Sequence, residues 1–136
     1  MALVQSFAEN RWFAPVDGGE IIFSALTGAA VAETSSEGLN FGAMVDYARR
    51  VGGPKLRAMT FHERALMLKA LAQAIMARKE ELYTLAVDTG ATRTDSWIDI
   101  EGGAGTLFSF ASKGRRELPN EHILIDGDTE ILGKTG

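Results

Sequence analysis

The sequence predicts an α+β chain that is mainly helical: a β-hairpin region first, three or four helices in the middle, and a second β-hairpin at the end. Three observations predict it. Residues 11–33 mix β-branched and aromatic residues with turn signals, the composition of short strands. From 34 to 118 apolar residues recur at helical spacing behind capping residues, the mark of amphipathic helices. Residues 123–132 return to a strand, turn, strand pattern.

Taken in order, W-F-A-P-V-D-G-G-E-I-I-F-S-A-L-T-G-A-A-V-A-E reads as two or three short strands, with turns at Asp17-Gly18-Gly19 and Thr27-Gly28. A hairpin of this size is marginal alone and needs a surface to lie on. The first helix is expected from Thr34, because T-S-S-E places Glu37 three residues after a hydroxyl, the capping-box arrangement. Phe41, Met44, Val45, Ala48 and Val51 fall on one face. Gly52-Gly53-Pro54 is expected to end it, since proline cannot extend a helix.

The second helix opens with Thr60-Phe61-His62-Glu63, the same device, and carries Phe61, Ala65, Leu68, Leu71, Ala72, Ile75, Met76, Leu82, Leu85 and Ala86 as an apolar stripe up to Gly90. A single helix of that length exceeds the usual range, so a bend is predicted between Ala77 and Lys79. Arg78-Lys79-Glu80-Glu81 reads as a solvated face. The third helix is expected to start at Thr94 or Asp95 and to run through Trp97, Ile98, Glu101, Ala104, Leu107, Phe108 and Ala111 to about Arg116, its end marked by Gly114, by Pro119 and by Lys113, Arg115 and Arg116, which suit a helix C-terminus. Ile123-Leu124-Ile125, Asp126-Gly127 and Thr129-Glu130-Ile131-Leu132 then form the closing hairpin.

The third helix holds the anomaly of the chain. Gly102, Gly103 and Gly105 lie in its middle, where each glycine costs about 1 kcal/mol relative to alanine. Glycines in such a place let another helix, backbone or ligand approach closely.

The chemistry visible in the residues is sparse. With 14 Lys and Arg against 18 Asp and Glu spread along 136 residues, neither nucleic acid nor an anionic membrane is an expected partner. No apolar run approaches the roughly 20 residues of a membrane span, and the N-terminus lacks a signal-peptide pattern, so a cytoplasmic location is expected. The chain has no cysteine, which removes disulfides, thiolate metal sites and a thiol nucleophile together. His62 and His122 lie far apart with no helical partner, so no metal site is expected. No G-x-S-x-G turn supports a serine nucleophile. Asp95, Asp99 and Glu101 form an acidic group that opposes a helix dipole or, less simply, an acid/base pair. The run G-G-A-G lies inside a helical pattern, not between a strand and a helix, so it fails the context of a dinucleotide-binding loop.

The wording of the segments nevertheless resembles a known family. S-S-E-G-L, then G-P-K-L-R-A-M-T-F-H-E-R-A-L-M-L-K-A-L-A, then L-Y-T-L-A-V-D-T-G-A-T-R-T-D-S-W-I-D-I-E-G-G-A-G-T-L-F-S-F-A-S-K-G-R-R-E-L-P-N is similar to the start of an aldehyde dehydrogenase. The run D-S-W-I-D-I-E-G-G is distinctive, and the likeness spans nearly the whole chain. Within the family it looks most like the PaaZ type of phenylacetate degradation, in which an aldehyde dehydrogenase is joined to an enoyl-CoA hydratase-like domain. The semialdehyde dehydrogenase of the benzoyl-CoA epoxidation route (BoxD type) shares the outline with more departures.

This resemblance implies the opening part of an α/β enzyme that oxidises CoA-linked semialdehydes with NADP or NAD. Residues 1–33 would be the N-terminal strands, 34–118 a helical segment of the cofactor-binding domain, and 119–136 a hairpin of the oligomerisation arm. The partners implied are the rest of the dehydrogenase chain and further copies of it in a homo-oligomer. The family's cysteine nucleophile, glutamate base and cofactor-binding strands would all follow Gly136, so no catalytic or cofactor-binding residue, and no cofactor, is expected within these residues. What carries over is a wall of the substrate tunnel: Ile98, Gly102 and Gly105, whose lack of bulk would suit an acyl-CoA tail. Close helix packing remains the other explanation of the glycines. A free-standing helical interaction or scaffold module derived from the family is the other functional reading.

Overall fold

A computed structural model describes residues 2–16, 18–125 and 127. Among the described residues five short strands make two small sheets. In the first, β2 (Ser6–Ala8) and β3 (Arg11–Phe13) pair antiparallel across a two-residue turn, Glu9-Asn10, with φ of 51° and 64°. Two successive left-handed residues are what the tight hairpin turn that matches strand twist requires. Phe7 stands opposite Trp12, ring centroids 5.1 Å apart and edge-on. In the second sheet, β4 (Glu20–Phe23) and β5 (Ala30–Thr34) pair antiparallel, and β1 (Ala2–Leu3) adds to β5 in parallel. Of the strands expected between 11 and 33, β4 and β5 join at the Thr27-Gly28 turn, where Ser24 Oγ accepts from the Leu26 and Thr27 amides at 3.3 Å; β3 pairs instead with β2, and Asp17 of the other expected turn lies outside the described residues. The two strands before Arg11 carry no periodicity long enough to announce them.

The expected first helix needs two corrections. Thr34 does not start it: that residue is the last of β5, paired with Glu20, because the sheet ladder outweighs a local cap. The cap is Asn40, whose Oδ1 accepts from the Ala43 amide at 2.9 Å and opens α1 (Phe41–Tyr47). Nor does Gly52-Gly53-Pro54 stop the helix. It passes through a π turn (Ala48–Gly52) into α2 (Gly53–Arg57), the Gly53 amide donating to the Ala48 carbonyl five residues back. That wider turn disrupts the regular ladder at the point where the proline ring would otherwise clash with the preceding turn.

The next helix is as expected. Thr60 and Glu63 cap it reciprocally, at 3.2 and 2.8 Å, and α3 (Phe61–Ala77) bends at Arg78 into α4 (Lys79–Ala86). A short 3₁₀ turn, Val87–Thr89, ends at Gly90, whose φ of 79° is the left-handed conformation that glycine takes freely. The following helix begins slightly earlier than Thr94: Thr92 and Asp95 form a second reciprocal box that opens α5 (Arg93–Trp97). A π turn (Ile98–Gly102) then leads into α6 (Gly103–Arg116). Both π turns end on a double glycine, Gly52-Gly53 and Gly102-Gly103.

The core is the seam between α3 and α6. Ala65 and Ala72 on one helix and Ala104 and Ala111 on the other are buried, and the helices run antiparallel. A Cβ at Gly114 would lie 3.1 Å from the Ala65 Cβ, so this glycine sets how closely the axes approach. The segment after α6 is tied back to the start of α3: the Phe61 amide donates to the Glu121 carbonyl at 2.9 Å, His62 Nε2 pairs with the Leu118 carbonyl at 3.0 Å, and Arg64 donates to the His122 carbonyl at 3.1 Å. Among the described residues no large side chain is fully buried, while Phe41, Leu71, Leu85, Trp97 and Phe110 are exposed. The expected stripe of the second helix is therefore buried mainly at its alanines. Ile123-Leu124-Ile125 form no strand, and the rest of the expected closing hairpin, Asp126 and 128–136, lies outside the described residues.

Two glycine substitutions should have opposite effects on urea unfolding. Gly114→Leu, forced against Ala65, should lower stability by about 1–3 kcal/mol. Gly103→Ala, where an added Cβ meets nothing within 4 Å, should raise it by about 0.5–1 kcal/mol.

Candidate functional site

The three residues expected to line a substrate path lie on the helix that runs from α5 through the π turn into α6. Ile98 is 55% exposed, Gly102 is exposed and Gly105 is half-buried. A Cβ added at Gly102, Gly103 or Gly105 would meet nothing within 4 Å. Close packing against α3 is thus not what these glycines serve. That role falls to Gly114, which the sequence marks only as a helix-end signal and which lies inside α6. Gly102 and Gly105 are three residues apart and share a face of the helix. Ile98 lies across the π turn, which adds a residue per turn and offsets it from them.

At Glu101, the residue before Gly102, a polar cluster holds the helix on α4. Glu101 Oε1 accepts from the Tyr83 hydroxyl at 2.8 Å and from Lys79 Nζ at 3.1 Å. The Arg93 guanidinium stacks 3.5 Å over the Tyr83 ring and lies 3.6 Å from Glu80. Lys79 and Tyr83 are four apart on α4 and so present to one side. Tyr83 is 5% exposed, the one large side chain among the buried described residues. A cleft of about 280 Å³ opens beside it, lined by Tyr83, Arg93, Thr94, Trp97 and Glu101.

The electrostatics are those of a structural cluster. Burial first, then the Glu101 carboxylate, pushes the Tyr83 phenol above its ordinary range. The Tyr83 hydroxyl first, then Lys79, holds Glu101 below the ordinary carboxylate range. A phenol kept protonated and a carboxylate kept ionised by the same bond have no proton to exchange near neutral pH. Arg78 and Glu81 form the exposed pair expected of a solvated face, at 2.7 Å, but Lys79 and Glu80 are drawn into the cluster. Nothing in the sequence pairs Lys79 or Tyr83 with Glu101, because their contact crosses two helices.

The other expected candidates resolve into structure. Asp95 belongs to the capping box, and Thr92 holds its carboxyl below the ordinary range. No group of three or more metal-binding side chains gathers among the described residues. The amides of G-G-A-G lie within helix, Gly103 N–H donating to the Asp99 and Ile100 carbonyls, so this run forms no cradle for a dinucleotide pyrophosphate. No helix among the described residues is long and apolar enough to cross a membrane.

The sequence matches the aldehyde dehydrogenase family over residues 23–133. The chain belongs to that family. It is also 30% identical, over 131 residues, to a 3,4-dehydroadipyl-CoA semialdehyde dehydrogenase of Aromatoleum evansii; the match covers 96% of this chain and 25% of that protein. The chain thus spans about a quarter of the length of the curated relative it matches. Its helices and two small sheets are a partial aldehyde dehydrogenase fold, and the α5–α6 helix with its glycine face lies within the matched region.

The Tyr83–Glu101 bond sets a pH dependence with two limbs. Glu101, depressed in the fold, contributes stability above the ordinary carboxylate range and loses it as pH falls through and below that range. Tyr83, raised in the fold, contributes below its unfolded value of about 10 and loses it as pH rises further. Glu101→Gln should lower the melting temperature at neutral pH and flatten the acid limb of a series of thermal melts. Part of that limb should persist, because Asp95 and Glu81 are also depressed.

Proposed function

We propose that these residues work as the N-terminal portion of an NAD(P)-dependent aldehyde dehydrogenase that oxidises a CoA-linked semialdehyde in aromatic-compound catabolism, of the phenylacetate type. The observation that carries this is the 30% identity, over nearly the whole chain, to a quarter of a CoA-semialdehyde dehydrogenase. Two features support it. The absence of cysteine fits a segment that contributes no nucleophile to a thiol-based family. The exposed apolar side chains over a core of alanines fit a segment that other parts of a larger protein cover.

In this reading residues 1–33 are the N-terminal strands, 34–118 a helical part of the cofactor-binding domain and 119–136 part of the oligomerisation arm of a cytoplasmic homo-oligomer. The exposed Ile123-Leu124-Ile125 run would find its cover there. NADP or NAD would bind to later strands. Ile98, Gly102 and Gly105 form one wall of the substrate entrance, and the open space beside the glycines is room for the tail of a CoA thioester.

Two observations test the reading. Coding sequence continuing past Gly136 into a cofactor-binding sheet and a reactive cysteine is the expected outcome; a stop codon there would favour a free-standing interaction module instead. In the enzyme so encoded, Gly102→Leu should lower kcat/KM for a CoA-linked semialdehyde about ten-fold while changing that for a small free aldehyde much less. Equal losses for both substrates would remove Gly102 from the entrance.

A further inference from the structure

A second cavity lies on the same α3–α6 seam, at the opposite end of α6 from the π turn. It measures about 420 Å³ and is lined by Ala65, Phe108 and Ala111 as an apolar floor, with Ser112, Lys69, Arg115 and Arg116 around it. That volume is within the usual range of small-molecule sites, about 300–1,000 Å³.

Its charge is one-sided. Lys69 comes from α3 and Arg115 and Arg116 from α6, so cations converge from two helices, and no carboxylate lines the cavity. Among the described residues none of the three forms an ion pair. Opposition to the helix dipole accounts for basic residues in the last turn of α6, but it applies equally to Lys113, which does not line the cavity, and it says nothing of Lys69 on the neighbouring helix. Two guanidinium forks, an ammonium and a hydroxyl above an apolar floor are the donors that hold phosphates, and the Phe108 ring offers a flat surface for a base.

The helix between this cavity and the entrance wall is shaped to match. Gly102, Gly105, Ser109, Ser112 and Arg116 recur at intervals of three and four, so they follow one line along α6. From Gly102 to Arg116 that line is about 21 Å long. A ligand lying along it would keep an anionic end at Arg115 and Arg116 and a slender arm over the small residues.

We infer that the cavity formed by Lys69, Phe108, Ser112, Arg115 and Arg116 binds the phosphorylated nucleotide end of the CoA thioester, its arm running along the Gly102–Ser109 line toward the reaction centre. The inference rests on the reading of the substrate as CoA-linked; the identity of the anchoring residues is new to it. An extended substrate with phosphates at one end and its reactive carbon at the other explains a cationic cavity and a smooth helix face together.

The test uses the natural polypeptide that contains this chain. Lys69→Ala/Arg115→Ala/Arg116→Ala should raise KM for the CoA-linked semialdehyde about ten-fold or more, with kcat, KM for the nicotinamide cofactor and KM for the corresponding free aldehyde unchanged. Adenosine 3′,5′-bisphosphate should compete with the CoA-linked substrate in the wild type and lose that effect in the variant. A rise in the cofactor KM instead would assign the cations to the nicotinamide nucleotide and overturn the inference. Equal competition by inorganic phosphate at the same concentration would reduce the cavity to a nonspecific anion patch and also overturn it.

If the triple variant does not fold, Arg116→Gln alone, at an exposed side chain, should show the same split between substrates; its absence would count against the site. If the wild type oxidises no CoA-linked semialdehyde, the proposed function fails. Calorimetric titration with adenosine 3′,5′-bisphosphate then still judges the cavity, since binding lost in Arg116→Gln supports it and no binding to the wild type refutes it.

Discussion

The close approach of α3 and α6 is the constraint on which the rest of the structure depends. Alanine faces alanine along this seam, and Gly114 meets Ala65 with no room for a larger side chain. Small residues bring the axes close, and dispersion contacts between backbones replace the burial of large side chains. The consequence is a precise but thin core. Burying alanine removes little apolar area from water, at about 25 cal/mol per Å², so the seam fixes geometry better than it supplies stability.

Each end of the seam is secured by a different kind of interaction. At one end the chain after α6 folds back, and backbone carbonyls of Leu118, Glu121 and His122 bond the first turn of α3. At the other, Glu101 takes the Tyr83 hydroxyl and the Lys79 ammonium across the α4–α6 junction. The π turn between Ile98 and Gly102 lies at this second anchor. An inserted residue there rotates α5 relative to α6, so Trp97 and Ile98 are turned outward while Ala104 and Ala111 remain on the seam. The glycines that follow the turn leave a bare face next to a fixed anchor.

That arrangement separates two faces along one helix. One side of α6 packs on α3 and carries the load of the fold. The adjacent side, from Gly102 to Arg116, is free of large side chains and ends among cations. The entrance wall proposed above would need both properties, since a substrate surface is only as well placed as the packing that supports it.

How much of this was legible in the sequence follows from the range of each interaction. Thr60 with Glu63, the bend at Arg78 and the end at Gly90 were readable because capping and breaking are decided within four residues. The family was readable from the segment around D-S-W-I-D-I-E-G-G, since wording is a property of the chain itself. Local signals failed wherever a partner elsewhere competed: Thr34 had a cap motif but joined the ladder to Glu20, and Gly52-Gly53-Pro54 was a stop signal that a π turn absorbed. The sequence by itself determined the mainly helical α+β class, most helix ends and the glycine-rich face. Only the tertiary structure decided that Gly114 rather than Gly102 packs against a helix, that Tyr83 and Lys79 meet Glu101, and that Lys69 joins Arg115 and Arg116. Those contacts span from 18 to nearly 50 residues of chain, and spacing along a helix carries no information about what lies across from it.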